Sequence, residues 1–417
     1  MPFARLANVT AQQFVLALGQ AMHALGSPSY RVEDSMTACS HALGVKGSFF
    51  ATPTAIFATI EDGAGLPSTV LQRVTPGDHD LGRLARLYSV RDAVMKRQIE
   101  PQVGLERIRE VLAARRPNHW REAFALGVSG AGAGVLFGGG WVEMAVAGGS
   151  GLVIGALAAL GAKRRRLGEL LAPLATALVS FVCGTLSAFG VPVHPPIAIL
   201  AAVVVLLPGL SFTTALAELA MRHLAAGSAR LMGTLVTLLT MAIGLGLGTR
   251  TSALCFGPPV PAADAPLAWW WTPVAVLASW YAFAVLLRAS RKQAPWVLLG
   301  IVTGFLGARA GTHWLGQELG AFLGAVAVAV AANLFSRWRR RPAAVVRTPG
   351  LLLLVPGSLG FRGFTMALDQ DFGAGAQFAM QALLVGGSIV AGLLIAGALL
   401  PPPLEVEPDS RGAGSAT

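Results

Sequence analysis

Between residues 122 and 400 the chain carries only eight acids, against 17 Lys/Arg. Glu122, Glu169 and Asp264 fit the ends of apolar runs or loops. Three others follow Pro-Gly pairs: Glu218 comes after Pro208-Gly209, and Asp369 and Asp371 come after Pro356-Gly357. A carboxylate there would compensate a substrate ammonium or carry a coupling proton, and an ionisable group at bilayer depth is a functional candidate by default. The Pro-Gly pairs have their own chemistry. Proline removes a backbone donor and leaves carbonyls free, and the helix that restarts beyond it turns its positive end toward an anionic group. Ser211, Thr213, Thr214, Ser358 and Thr365 stand beside the breaks, where a hydroxyl either donates to a carboxylate or caps the restarted helix. Arg362, beside Asp369 and Asp371, reads equally as part of such a site or as a structural ion pair at the outer interface. His194 and His313 are expected near the outer surface, with a proton relay through one of them as the sharper reading.

These residues need a frame, and composition says what kind. The chain has 417 residues, 54% hydrophobic and 13% charged, roughly half the charged share of a soluble domain. A spanning helix takes about 20 mostly apolar residues. Ten segments qualify: 122–141, 143–162, 169–190, 195–217, 230–248, 268–288, 294–311, 315–336, 348–362 and 377–400. With the N-terminal segment placed inside, 14 of the 17 basic residues fall in inner loops, and only Arg250, Arg309 and Arg362 fall outside. That asymmetry predicts ten spans with both termini cytoplasmic. It also accounts for most of the net charge of +11, so nucleic-acid binding is not expected. Trp269-Trp270-Trp271 reads as an interfacial anchor, and the glycines of 127–161 as close helix packing.

The two Pro-Gly segments resemble each other. Leu207-Pro208-Gly209 matches Val355-Pro356-Gly357, and after a short insertion Phe212-Thr-Thr-Ala-Leu matches Phe364-Thr-Met-Ala-Leu. They occupy the fourth and ninth expected spans. Five helices per half force opposite orientations, which predicts inverted repeats with interrupted helices, a transporter signature. On that topology Pro208-Gly209 lies toward the cytoplasmic end and Pro356-Gly357 toward the outer end.

Residues 10–118 read differently. Phe14, Leu18, Met22 and Leu25, then Val32, Met36, Cys39 and Leu43, follow a helical period, ending at Gly26 and Gly44. Thr54–Ile60 and Ser68–Val74 are β-rich, Asp78 and Asp80 are candidate caps for a helix from Leu81, and Pro101 opens a last helix. The cluster Arg31, Glu33, Asp34 is either a catalytic group or a charged first turn of a helix. The chain has no nucleophile elbow, phosphate loop or zinc helix, no C-x-x-C pair among Cys39, Cys183 and Cys255, and no expected secretory signal.

The fold class is therefore a polytopic α-helical membrane protein with ten transmembrane helices, arranged as two inverted five-helix repeats behind a small α+β N-terminal cytoplasmic domain. The expected divisions are a tail at 1–9, the α+β domain at 10–118, the first membrane half at 119–250, an outer linker at 251–267, the second half at 268–400 and a disordered tail at 401–417.

Along nearly its whole length the chain resembles the threonine/serine exporter family. The residues that carry the resemblance begin with Gly19, Leu25-Gly26, Arg31-Val32-Glu33, Arg73-Val74 and Asp80-Leu81 with Leu84. In the membrane part they are Leu207-Pro208-Gly209, Arg230 and Val355-Pro356-Gly357-Ser358. The resemblance implies a soluble domain followed by ten helices, and proton-driven export of small hydrophilic metabolites, threonine and serine in the namesake members. Related split members imply a dicarboxylate such as succinate instead. The expected partners are an amino acid or dicarboxylate, protons and the lipid bilayer of a bacterial inner membrane, with no cofactor, no metal and a homo-oligomer left open. Two rivals from other classes are a membrane-anchored hydrolase acting at Arg31, Glu33 and Asp34, and a metabolite sensor working through the N-terminal domain.

Overall fold

The computed structural model describes residues 2–61, 66–75, 77–114, 118–162, 165–260 and 266–401. Asp264 and residues 402–417 of the expected tail lie outside the described residues.

The N-terminal layer opens with α1 (Pro2–Ala24), which runs through the residues expected as a tail. Gly26, at φ +80°, turns the chain into α2 (Ser29–Leu43), which Gly44 ends in the left-handed conformation at φ +71°. Three antiparallel strands follow in sequential order, β1 (Gly47–Thr52), β2 (Ala55–Glu61) and β3 (Pro67–Arg73). β1 was not expected: Phe49-Phe50-Ala51 is too short an apolar run to stand out before its pairing partner is known. The period of two in β2 puts Ile56, Ala58 and Ile60 against Phe14, Leu18 and Met22 of α1, while Phe57 faces out. Next come α3 (Leu81–Met95) and α4 (Pro101–Ala113). Asp80 caps α3 by accepting from Arg83 N at 2.8 Å. Asp78 does not cap it; it is exposed and lies 3.6 Å from Arg288 of the membrane part.

The membrane part comprises α5 (His119–Leu136), α6 (Trp141–Gly161), the short α7 (Arg165–Glu169), α8 (Leu171–Ala188), α9 (Pro195–Val203), α10 (Gly209–Ala220) and α11 (Leu224–Phe256). After them come α12 (Trp271–Leu286), α13 (Ala294–Leu315), α14 (Gln317–Arg339), α15 (Ala344–Leu354), α16 (Gly357–Leu368) and α17 (Phe372–Leu399). Large apolar side chains such as Leu152, Leu160, Leu247, Met380 and Leu394 are exposed on these helices, an arrangement suited to lipid rather than water.

Among the described residues, seven helical stretches are long and apolar enough to cross a membrane: α6, α8, α11, α13, α14, the α15–α16 pair and α17. The expected count of ten is not reached, for physical reasons that differ by segment. α5 begins with the polar turn His119–Glu122 and is rich in glycine, α12 has only 16 residues, and α9–α10 is broken before Pro208. α11 also runs to Phe256, into the expected outer linker.

One sequence of events occurs twice. A helix stops, Pro208 or Pro356 intervenes, and a 12-residue helix restarts at the next glycine. Two residues beyond each restarted helix stands one at φ +65°, Arg222 in one case and Gln370 in the other, and a long helix follows. From the proline to the start of the long helix these positions keep one constant offset along the chain, so the insertion inferred from the Phe-Thr-x-Ala-Leu match has no structural counterpart. At that offset Phe212 corresponds to Gly360 and Leu238 to Gly386. The packing exchanges large for small. A Cβ on Gly386 would meet Phe212 at 3.0 Å, and a Cβ on Gly360 would meet Leu238 at 3.1 Å. α10 packs on α17 as α16 packs on α11.

Candidate functional site

The two breaks meet. A Cβ on Gly357 would lie 3.1 Å from Gly209 Cα, and one on Gly209 would overlap the Val355 side chain. Only residues without side chains let the two restarted helices begin this close together. The contact corrects the expected placement at opposite ends: both breaks lie at one depth, from which α10 and α16 depart. The first-turn amides of both helices lack intrahelical acceptors, so two positive helix ends converge there.

A cavity of about 850 Å³ opens onto this point, within the size range of small-molecule sites. Pro208, Gly209, Ser211, Gly357 and Ser358 line its floor, and Arg230 its wall. Its mouth is formed with the N-terminal layer, through His23, Ser27, Asp78 and His79, facing Glu122 and Arg288. Arg288 Nε lies 3.3 Å from Glu122 Oε1 and so holds one rim together.

Glu218 is fully buried and lies outside the cavity lining. Arg230 grips it with two donors, Nε to Oε2 at 2.9 Å and Nη2 to Oε1 at 3.0 Å. The backbone N–H of Ser29 adds a third, to Oε1 at 3.0 Å. Ser29 opens α2, so this carboxylate ties the N-terminal layer to the membrane part. A second tie lies beside it: Glu33 accepts from Ala51 N at 2.7 Å with Oε1, and its Oε2 lies 3.4 Å from His223 Nδ1. Arg31 stacks near the Tyr30 ring at 5.6 Å and, with Thr213 and Thr214, lines a smaller pocket of about 110 Å³. Arg31 and Glu33 thus sit where the layer docks, and Asp34 is exposed.

The other expected site residues are spent or remote. Thr213 donates to Gly209 O at 2.8 Å and Thr365 to Arg362 O at 2.8 Å, both within their own helices. Asp369 is exposed at the end of α16, and Asp371, also exposed, caps α17 by accepting from Ala374 N at 3.0 Å. Among the described residues Arg362 forms no ion pair with either.

Burial also tunes the mouth. His23 is buried, with Nε2 3.2 Å from Thr52 O, and desolvation holds its pKa below the ordinary imidazole value. His79 is lowered by desolvation first and then by the Arg230 charge. A base with a lowered folded pKa contributes stability that is complete above the unfolded value and lost as pH falls through the folded one. Glu33 has the opposite sign. Desolvation raises its pKa, so its contribution is complete at low pH and declines as pH rises through the raised value. On a Glu33→Gln background the melting temperature of the whole chain should fall as pH drops below about 6.5, and His79→Gln should flatten that fall. A melting temperature that rises on acidification would refute the assignment.

The model of the family described as "Putative threonine/serine exporter" matches residues 13–252, and that described as "Threonine/Serine exporter, ThrE" matches residues 273–399. The chain belongs to the threonine/serine exporter family. The first match runs unbroken from the N-terminal layer into α11, so the expected fusion of a separate soluble domain ending near residue 118 is not supported. An uncharacterized protein of Schizosaccharomyces pombe is 24% identical over 369 residues, covering 84% of this chain and 44% of its own length. Pheromone-regulated membrane protein 10 of Saccharomyces cerevisiae is 24% identical over 362 residues, covering 83% and 46% respectively. The protein of the same name from Eremothecium gossypii is 24% identical over 380 residues, covering 86% and 50%. The chain thus spans half or less of the length of these relatives. No solved structure matches it. These relatives are fungal and give no support to the expected bacterial inner membrane; the supported statement is a multi-pass membrane protein.

Within this exporter-family chain the structure gathers Pro208, Gly209, Ser211, Pro356, Gly357 and Ser358 at one point, and separates Glu218, Asp369 and Asp371 from it. Sequence reasoning missed the role of Arg230 as the partner of Glu218, although the spacing from Glu218 hinted at a neighbouring helix. It also left Glu143 unexplained. That carboxylate is buried and accepts Gly140 N and His194 N, each at 2.7 Å, so it pins two turns at one end of the helices.

Proposed function

We propose that the chain is a secondary active exporter of small hydrophilic metabolites, coupled to protons and working by alternating access between two inverted halves. The contact of two Pro-Gly breaks inside one cavity carries this reading. Converging helix N-termini suit a substrate carboxylate, and the exchanged Phe212–Gly386 and Leu238–Gly360 packing supports a two-fold relation between halves. The N-terminal layer sits against the loops that hold Arg222, Arg288 and Arg341, and the positive-inside rule supports a cytoplasmic placement for that side.

Arg230 supplies the coupling in this proposal. It faces the cavity and holds Glu218, so a substrate carboxylate and the Glu218 carboxylate compete for one guanidinium, and a proton on Glu218 releases it. Threonine and serine are the leading substrates. The alternative of a dicarboxylate such as succinate draws on a specific observation: two positive helix ends converge, Asp369 and Asp371 lie away from them, and the acids on the described lining, Asp78 and Glu122, pair with Arg288. The hydrolase and sensor readings gain no such support, because Glu33 spends its oxygens on Ala51 N and His223.

Proteoliposomes holding the chain should take up labelled threonine, serine or succinate under an imposed pH gradient and lose the uptake with a protonophore. Gradient-independent equilibration of all three would refute proton coupling, and no movement of any would refute the exporter reading for these substrates. Ser211→Ala with Ser358→Ala should raise the half-saturating substrate concentration about tenfold.

A further inference from the structure

A second cavity, of about 810 Å³, lies on the flank of the molecule where α3 of the N-terminal layer meets the α12–α13 turn and the end of α14. Its lining is strongly cationic, and part of that charge is already answered. Arg83 lies 3.5 Å from Asp80, the lining's one acid, and Arg288 pairs with Glu122 and Asp78. Arg86, Arg121 and Lys292 are exposed, and among the described residues none has an acidic partner. Arg339 and Arg341 add two more charges, Arg339 over the Trp296 and Trp338 rings at 5.4 Å and 5.2 Å.

We infer that this groove binds the phosphodiester headgroup of an anionic phospholipid. Charge selects the ligand class: several unanswered cations around one cavity of headgroup size fit a phosphate ester, and basic pockets beside spanning helices take such headgroups. The apolar surroundings select a lipid over a free anion. Trp338 is 74% exposed at the end of α14, and Leu334, one turn earlier on the same helix, is 53% exposed. On α13, Trp296 is half-buried with its ring centroid 4.7 Å from that of Phe335, and Leu299, three residues on, is 36% exposed. These two aromatic-aliphatic stripes lead from the cations onto the lipid-facing surface, where an acyl chain would lie. The bound headgroup bridges α3 to the membrane helices and so reinforces the docking of the N-terminal layer.

The full chain in nanodiscs tests this, with brominated phosphatidylglycerol or brominated phosphatidylcholine as the quencher. The signal is the tryptophan quenching that Trp338→Phe removes. Phosphatidylglycerol should quench it severalfold more than phosphatidylcholine. Arg86→Ala, Arg121→Ala and Lys292→Ala together should bring the two lipids to equality, and Lys292→Glu alone, on an exposed turn, should weaken the preference. Equal quenching in the unsubstituted chain, or a preference that survives both variants, would overturn the inference. So would loss of the preference on adding inorganic phosphate at constant ionic strength, which would assign the groove to a free anion.

Discussion

Arg230→Ala is expected to destabilise the protein by roughly 3–5 kcal/mol, because it leaves the Glu218 carboxylate buried without its counter-charge. Glu218 is 0% exposed and receives three donors, two of them from Arg230. Ser29 N alone cannot compensate a full charge at that depth. The double variant with Glu218→Ala removes the stranded charge together with its partner and should recover much of the loss. Thermal unfolding in detergent with a two-by-two cycle reads the result. If the loss in the double variant equals the sum of the two single losses, the pair contributes nothing beyond its separate side chains. Glu218→Gln separates stability from coupling. It keeps the shape and the Ser29 contact but carries no titrating group, so residual transport should lose its pH dependence. Transport that keeps its full pH dependence in Glu218→Gln would remove Glu218 from the proton path.

Gly209→Ala should cut transport by an order of magnitude or more and destabilise the chain by about 1–3 kcal/mol, the usual cost of overpacking. The added methyl would overlap Val355, with Gly357 N 3.1 Å away, so the two breaks must part or the Val355 rotamer must change. The restoring change follows from the same geometry. Val355→Ala clears the space and should rescue Gly209→Ala in both stability and uptake. A Gly209→Ala chain with normal uptake, or one that Val355→Ala does not rescue, would show that close approach of the breaks is not what the site requires.

These two predictions rest on different kinds of legibility. The breaks could be read directly, because proline and glycine act on their own backbone: Pro208 and Pro356 interrupt helices wherever they stand. The same holds for the helix period in Phe14, Leu18 and Met22 and for the αL stop at Gly44, which are decided within a turn or two. The repeat was legible at the breaks, yet its Phe-Thr-x-Ala-Leu alignment was wrong. Sequence identity there tracked local composition, whereas the structure exchanges Phe212 for Gly360 and Gly386 for Leu238 so that each pair fills one space.

The acids show where sequence runs out. Glu218, Asp369 and Asp371 have the same residue chemistry and comparable positions after a break, and nothing local separates them. Tertiary packing does. Glu218 falls under α2 and beside Arg230, while Asp369 and Asp371 fall on an exposed turn. Likewise Arg31, Glu33 and Asp34 look like a self-contained polar cluster, and the roles of Glu33 and Arg31 come from His223 and Thr213, far along the chain.

By itself, then, the sequence determined the membrane class, the two interrupted helices and the helical and strand periods of the N-terminal layer, because hydropathy and backbone restriction are properties of neighbouring residues. Only the tertiary structure decided that the breaks touch, that the N-terminal layer forms the mouth of their cavity, and which carboxylate is held. Those outcomes depend on packing between segments far apart in the chain, 189 residues for Ser29 and Glu218, where burial and distance rather than residue type set the role of a charge.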